Sequence, residues 1–153
     1  MPADAADFLA GFSDPKVHQN TYGGRLAPTA EAIEDYLARV ASRREAGEAL
    51  ILAAVDRDTG AFLGTTMLFR LDVPGLAEIG FWFAQRARRR GLTEAAIALT
   101  LRWGFEQLGL TRIEGLTSPA NTHSQKAMVR AGMRRETARG DFVVFAAQPS
   151  EED

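Results

Sequence analysis

The chain contains no cysteine, so disulfides, thiolate-based metal sites and a cysteine nucleophile are all excluded by inventory. It has only two histidines, His18 and His123, which are too few for most metal sites, and no metal is expected. Tyrosine is scarce too, with Tyr22 and Tyr36 both near the start. No stretch approaches the roughly 18 apolar residues of a membrane span, and the first residues carry neither a basic start nor an apolar run. The expectation is a soluble, cytoplasmic protein. A formal net charge of −2 argues against nucleic acid or an anionic membrane as partners held by bulk charge.

What is present suffices for one ordinary domain: 153 residues, 46% of them hydrophobic, can close a single continuous core. That domain is expected over residues 1–147, with a flexible acidic tail over 148–153. Phe8, Leu9 and Phe12 have helical spacing before the break at Ser13–Pro15, and residues 16–20 allow another helical turn. Thr29 reads as the N-cap of a longer helix with Ile33, Tyr36, Leu37 and Val40 on one stripe, ending near Gly47. Three strands follow in an antiparallel meander, over 49–55, 61–71 and 77–84, with Gly64 as a possible bulge. Alternation puts Glu78, Gly80 and Trp82 on one face of the third strand, and Ile79, Phe81 and Phe83 on the other. Residues 94–108 read as a helix buried around much of its circumference, with Ile97, Leu101, Phe105 and Leu108 on one side and Ala96, Leu99 and Trp103 on another. A strand over 111–117, a helix over 121–131 capped by Gly132, and a hairpin of 133–137 with 141–147 complete the chain.

Between the third strand and the 94–108 helix lies a turn dense in arginine: Arg86, Arg88, Arg89 and Arg90, followed by Gly91. A solvated charge run is the ordinary explanation of such a cluster. Its position suggests more, because a helix N-terminus presents free N–H groups and about half a positive charge, and Gly91 permits close approach by a ligand. Strand, basic glycine-bearing turn and helix start together make a phosphate cradle.

The segment Arg88-x-x-Gly91-x-Thr93 resembles the Arg/Gln-x-x-Gly-x-Gly/Ala signature of the GNAT acyltransferases. The order and spacing of Trp103 to Glu114, Pro119 to Ser124 and Ala131 to Glu136 extend the resemblance to the ribosomal-protein N-terminal acetyltransferase (RimJ/RimL-like) branch, over about residues 4–146. The resemblance implies an α/β (α+β) fold: a mixed, mostly antiparallel sheet flanked by helices on both faces. The family's first strand has no counterpart here, so the outer edge of the 49–55 strand is expected to be unpaired, covered either by a homodimer or by an upstream segment outside this sequence. The final hairpin is also shorter than the family's, which implies a more open acceptor cleft.

The same resemblance implies acetyl-CoA as acyl donor and an amine acceptor, either a peptide N-terminus or a small molecule. It places the pyrophosphate against Arg88, Arg89, Arg90, Gly91, Leu92, Thr93 and Glu94, and the thioester against backbone donors of Phe81, Trp82 and Phe83. Thr93 stands where the family has Gly or Ala and Arg89 where Gly is frequent, so the cradle is expected to be tighter or rearranged. Asn121 and Ser124, by local physics an N-cap and a first-turn hydroxyl, correspond to residues that contact the pantetheine arm and the sulfur. Glu78 is either an ordinary strand-edge carboxylate or the group that orients or deprotonates the amine. His123 beside Ser124 suggests a hydrolase pair only weakly, since helix neighbours point about 100° apart. An α-amine of pKa near 7.8 is about a quarter neutral at pH 7.4, against roughly one lysine amine in a thousand, which favours an N-terminus or small amine. A GNAT-like domain that binds acyl-CoA or a protein without turnover is the alternative.

Overall fold

A computed structural model describes residues 2–15, 17, 25–88 and 91–150. Two helices, α1 (Pro2–Phe12) and α2 (Ala30–Glu45), precede the first described strand. The α2 start follows its sequence signal: the Thr29 side chain accepts from the Ala32 N–H, at 3.2 Å. Strands β1 (Leu50–Val55), β2 (Phe62–Phe69) and β3 (Leu76–Phe83) form the antiparallel meander. The register shifts at Ala54/Val55, opposite Gly64 and Phe62.

The basic segment after β3 opens with a single helical turn, α3 (Gln85–Arg88), rather than a continuous loop, and the fully buried Ala87 anchors it in the core. Arg89 and Arg90 lie outside the described residues, as do Tyr22 and most of the 16–20 segment. Helix α4 (Leu92–Leu108), strand β4 (Arg112–Thr117), helix α5 (Thr122–Arg130) and the short antiparallel pair β5 (Arg134–Arg135) and β6 (Val143–Ala147) complete the order. Six strands lie in the order β1-β2-β3-β4-β6-β5, with β3–β4 the parallel neighbours. Among the described residues β1 is an edge strand, as the family resemblance implied.

Each face of the sheet carries its own core. Phe8 and Phe12 of α1 and Ile33 of α2 pack with Met67 and Trp82 on one face. Ile97 and Leu101 of α4 and Met128 of α5 pack with Leu68, Ile79 and Ile113 on the other. Alternation along β3 explains the split, since Trp82 and Ile79 project to opposite sides. One expectation fails. Helix α4 is not buried around most of its circumference: Leu99 is 60% exposed, and Trp103 and Leu108 are also exposed. The sheet covers only the stripe of Thr93, Ile97, Thr100, Leu101 and Gly104, and apolar residues beyond that stripe face outward.

Candidate functional site

Strand β3 pairs with β2 along its length, from Gly64/Phe83 to Phe69/Glu78. With β4 it pairs only at Leu76/Arg112, Ala77/Ile113 and Glu78/Glu114. Beyond Glu78 and Glu114 the two parallel strands diverge, while β4 turns its remaining length to β6. Gly115, the first residue of β4 past the last pair, leaves room for α5: an added Cβ would stand 2.5 Å from the Met128 sulfur. The wedge between the diverging strands holds a cavity of about 600 Å³.

The residues lining this cavity come from both faces of the sheet. Met67, Trp82 and Leu116 lie on the α1/α2 side, and Ile79, Phe83 and Met128 belong to the core on the α4/α5 side. The cavity is therefore a passage through the sheet. Phe81, Trp82, Phe83, Thr93, Glu94, Asn121 and Ser124, seven of the residues singled out in the sequence, all line it.

On the α4/α5 side the passage meets the start of α4. Gly91 is the N-cap with φ 67° and ψ 12°, a left-handed conformation that disfavours a side chain, and makes no side-chain cap. Its chain neighbours aside, no described atom lies within 4 Å of where its Cβ would stand. The Thr93 hydroxyl and Glu94 Oε2 are buried with no hydrogen-bond partner among the described residues. Glu94 Oε1 lies 3.6 Å from Arg130 Nη1, and Arg130 and Lys126 line the same end. Free helix N–H groups, an unpartnered hydroxyl and two cations suit a phosphorylated ligand.

Asn121 caps α5: its Oδ1 accepts from the Ser124 N–H at 3.2 Å. Local capping and a place in the passage therefore coexist in one residue. Ser124 presents a half-buried hydroxyl one turn into that helix. His123 is exposed and forms no hydrogen bond to Ser124 among the described residues.

Glu78 is placed apart from this group. It lines a second, charged recess of about 340 Å³ with Arg43, Glu48, Arg70 and Asp72, and Phe69 borders both cavities. Across from Glu78 in register, Glu114 is 4% exposed yet charged. Arg139 donates to both its oxygens, at 3.2 and 3.0 Å, and Arg112 donates to Oε2 at 3.2 and 2.9 Å. Arg112 also bridges to Glu136, at 2.6 and 3.1 Å. Arg139 foremost, and Arg112 with it, hold the Glu114 carboxyl below the usual carboxylate range, against the opposing effect of burial. Sequence reasoning missed this network. Its only local sign was a carboxylate two residues after an arginine in a strand, and the Arg139 partner comes from the distant hairpin loop.

Among the described residues no helix is long and apolar enough to cross a membrane, and no cluster of side chains could hold a metal ion. Residues 1–134 match the acetyltransferase (GNAT) domain family. Two curated relatives are the uncharacterized N-acetyltransferase YnaD of Bacillus subtilis (strain 168) and the uncharacterized N-acetyltransferase p20 of Bacillus licheniformis. YnaD is 30% identical over 80 residues, covering 52% of this chain but only 47% of YnaD, so the match spans about half of that relative. p20 is 26% identical over 144 residues, covering 93% of this chain and 80% of p20. Among solved structures, RimJ of Mycobacterium smegmatis in complex with CoA-disulfide superposes with a TM-score of 0.80 at 21% identity, over 97% of this chain and 78% of that one. With a through-sheet passage, an open helix start beside it and a family match over most of its length, the chain belongs to the GNAT acetyltransferase family.

Proposed function

We propose that the chain transfers an acetyl group from acetyl-CoA to a primary amine by direct attack, with no covalent enzyme intermediate. The observation that carries this reading is the passage between β3 and β4, which gives two substrates access to one point from opposite faces of the sheet. In this reading the start of α4, with Gly91, Leu92, Thr93 and Glu94 and the preceding arginines Arg88, Arg89 and Arg90, receives the pyrophosphate. Asn121 retains its amide N–H groups for the pantetheine arm, because only its oxygen is used in capping.

The amine nitrogen bonds to the thioester carbonyl carbon, the carbonyl oxygen takes up negative charge against backbone N–H groups of Phe81–Phe83, and the C–S bond then breaks. The departing thiolate, with a parent thiol pKa of about 8.5, needs only a weak donor, the role assigned to the Ser124 hydroxyl. The proton lost by the amine passes to Glu78. Because Phe69 stands between the passage and the recess that Glu78 lines, a water relays that proton. An N-terminal α-amine or small amine suits one modest base better than lysine does.

The position of β1 at the sheet edge among the described residues supports a homodimer in which that edge is covered. Light scattering giving twice the 16.7 kDa chain mass is the expected result, and a monodisperse monomer removes this part of the proposal. Activity is tested by release of CoA thiol from acetyl-CoA across a panel of primary amines. Amine-dependent release supports the transferase, whereas tight acetyl-CoA binding without release indicates a binding module.

A further inference from the structure

The two ends of the passage differ in polarity, and the difference bears on the acceptor. Register fixes the faces: Met67 pairs with Gly80, Phe69 with Glu78 and Thr65 with Trp82, so Met67, Phe69 and Trp82 share the α1/α2 face. Leu116 lies on that face as well, two residues after Glu114, the Cα partner of Glu78. These four line the acceptor end; Glu78, the Cα partner of Phe69, and Glu114 lie on the same face, but among the described residues no charged side chain of that face lines the cavity. The opposite end holds Thr93, Glu94, Asn121, Ser124, Lys126 and Arg130. Beyond Phe69 the surroundings change again. The recess there carries two arginines, Arg43 and Arg70, and three carboxylates, Glu48, Asp72 and Glu78, with no ion pair among them in the described residues.

We propose that the acceptor is a primary amine borne on a carbon that also carries an apolar or aromatic group, with that group seated against Met67, Phe69, Trp82 and Leu116. This deepens the acetyl-transfer reading and rests on it. A second ammonium seated against these four side chains meets no carboxylate in direct contact among the described residues lining the cavity, and burying it unpaired is strongly unfavourable. A branched or aromatic side chain removes apolar surface from water on both partners, which amounts to roughly tenfold or more in specificity for a group of several carbons. The polar remainder of the acceptor, such as a carbonyl or amide, reaches the mixed charges beyond Phe69.

α-Amino amides test this, because their amine pKa values are nearly matched and the side chain is the variable. With saturating acetyl-CoA, kcat/KM for phenylalaninamide and leucinamide is expected to exceed that for glycinamide and for lysinamide by fivefold or more. A smaller ratio, or a preference for lysinamide, overturns the proposal. The Phe69→Glu variant places a carboxylate at the boundary and is expected to shift the lysinamide-to-phenylalaninamide ratio at least tenfold toward lysinamide, with acetyl-CoA titration reporting whether it is folded. A shift below that argues against the assigned seat. Titration of N-acetylphenylalaninamide against N-acetyllysinamide reads the same preference without turnover. If acetyl-CoA binds and amines are acetylated in the wrong order, only this inference fails. If the parent protein neither binds acetyl-CoA nor releases thiol, the transferase reading is what fails, and the product titration still decides the polarity of the seat.

Discussion

The two ends of the passage are built by different physics. At the α4/α5 end the polar groups are left unfinished: a left-handed glycine opens a helix, and a threonine hydroxyl and a carboxylate oxygen are buried without partners. At the α1/α2 end close aromatic packing dominates, although the Thr65 hydroxyl and the Trp82 indole N–H are also buried without partners among the described residues. Trp82 meets Phe8 edge-on with ring centroids 4.9 Å apart and Phe12 at 5.8 Å, and α1 comes so close that a Cβ at Gly11 would stand 2.9 Å from the indole. An open helix start with unpaired oxygens beside two cations suits an anionic ligand, whereas close aromatic packing around one unpaired indole N–H suits an apolar wall. The donor end should therefore fail through loss of binding, and the acceptor end through loss of stability or discrimination.

The largest effect is expected from Gly91→Val. A β-branched residue is poorly accommodated at φ 67°, and its side chain would enter the open space at the helix start. Acetyl-CoA binding should be abolished in isothermal titration while the thermal transition stays cooperative. Undiminished affinity in a folded variant would remove the helix start as the pyrophosphate site. Arg88→Ala serves as the milder control at the same end. Backbone N–H groups remain, so a loss of about 1–2 kcal/mol, or roughly five- to thirtyfold in affinity, is expected in the same titration.

Ser124→Ala comes next and separates chemistry from binding. If the hydroxyl meets the departing thiolate, kcat should fall on the order of tenfold to a hundredfold with acetyl-CoA affinity nearly unchanged, since Asn121 still caps the backbone at residue 124. An equal loss in both would make Ser124 a binding residue only. Glu78→Gln contrasts with it: its loss should be greatest below the pKa of the amine, where proton removal is needed, and a deficit independent of pH would argue against a base.

Much of this fold can be read directly from the chain, because its strong signals are local. Thr29 caps α2, Asn121 caps α5, and the alternation in β3 sends Trp82 and Ile79 to separate cores. What could not be read is non-local. The passage exists because pairing of β3 with β4 stops after three residues, and nothing near Glu78 or Glu114 in sequence announces that limit. The separation of Glu78 from the cavity that Ser124 lines, with Phe69 bordering both recesses, is likewise non-local. The exposed side of α4 misled for a different reason: Leu99, Trp103 and Leu108 keep a hydrophobic spacing although the sheet covers only one stripe.

The Glu114 network sharpens the contrast between the ends, because it completes hydrogen bonding where the donor end leaves it open. Glu114→Gln removes a buried charge from between Arg112 and Arg139 and should cost about 2 kcal/mol in urea denaturation at pH 7. The sign of its pH dependence follows from the depressed carboxyl, whose folded pKa lies below the unfolded one. Its contribution is present above the unfolded value near 4.3 and is lost as the pH falls through the folded value. Parent and variant should thus differ by a constant amount from about pH 5 to 8 and converge in more acidic solution. A difference that grows with acidity would contradict the assigned ion pairs.

The smallest expected effect lies outside both ends, on the outer side of α4. Leu99 is 60% exposed, and Trp103 and Leu108 on the same helix are partly so. Leu99→Lys removes little packing and adds a well-solvated charge to a helix with good propensity for lysine, so the change in stability should stay within about 0.5 kcal/mol. Elution volume and kcat/KM should also be unchanged, because neither the passage nor the β1 edge involves this face. A shift in elution volume would place a contact between copies on α4 instead of β1. In that event the apolar residues that misled the sequence reading would be explained as an interface, and the open edge of β1 would need no partner.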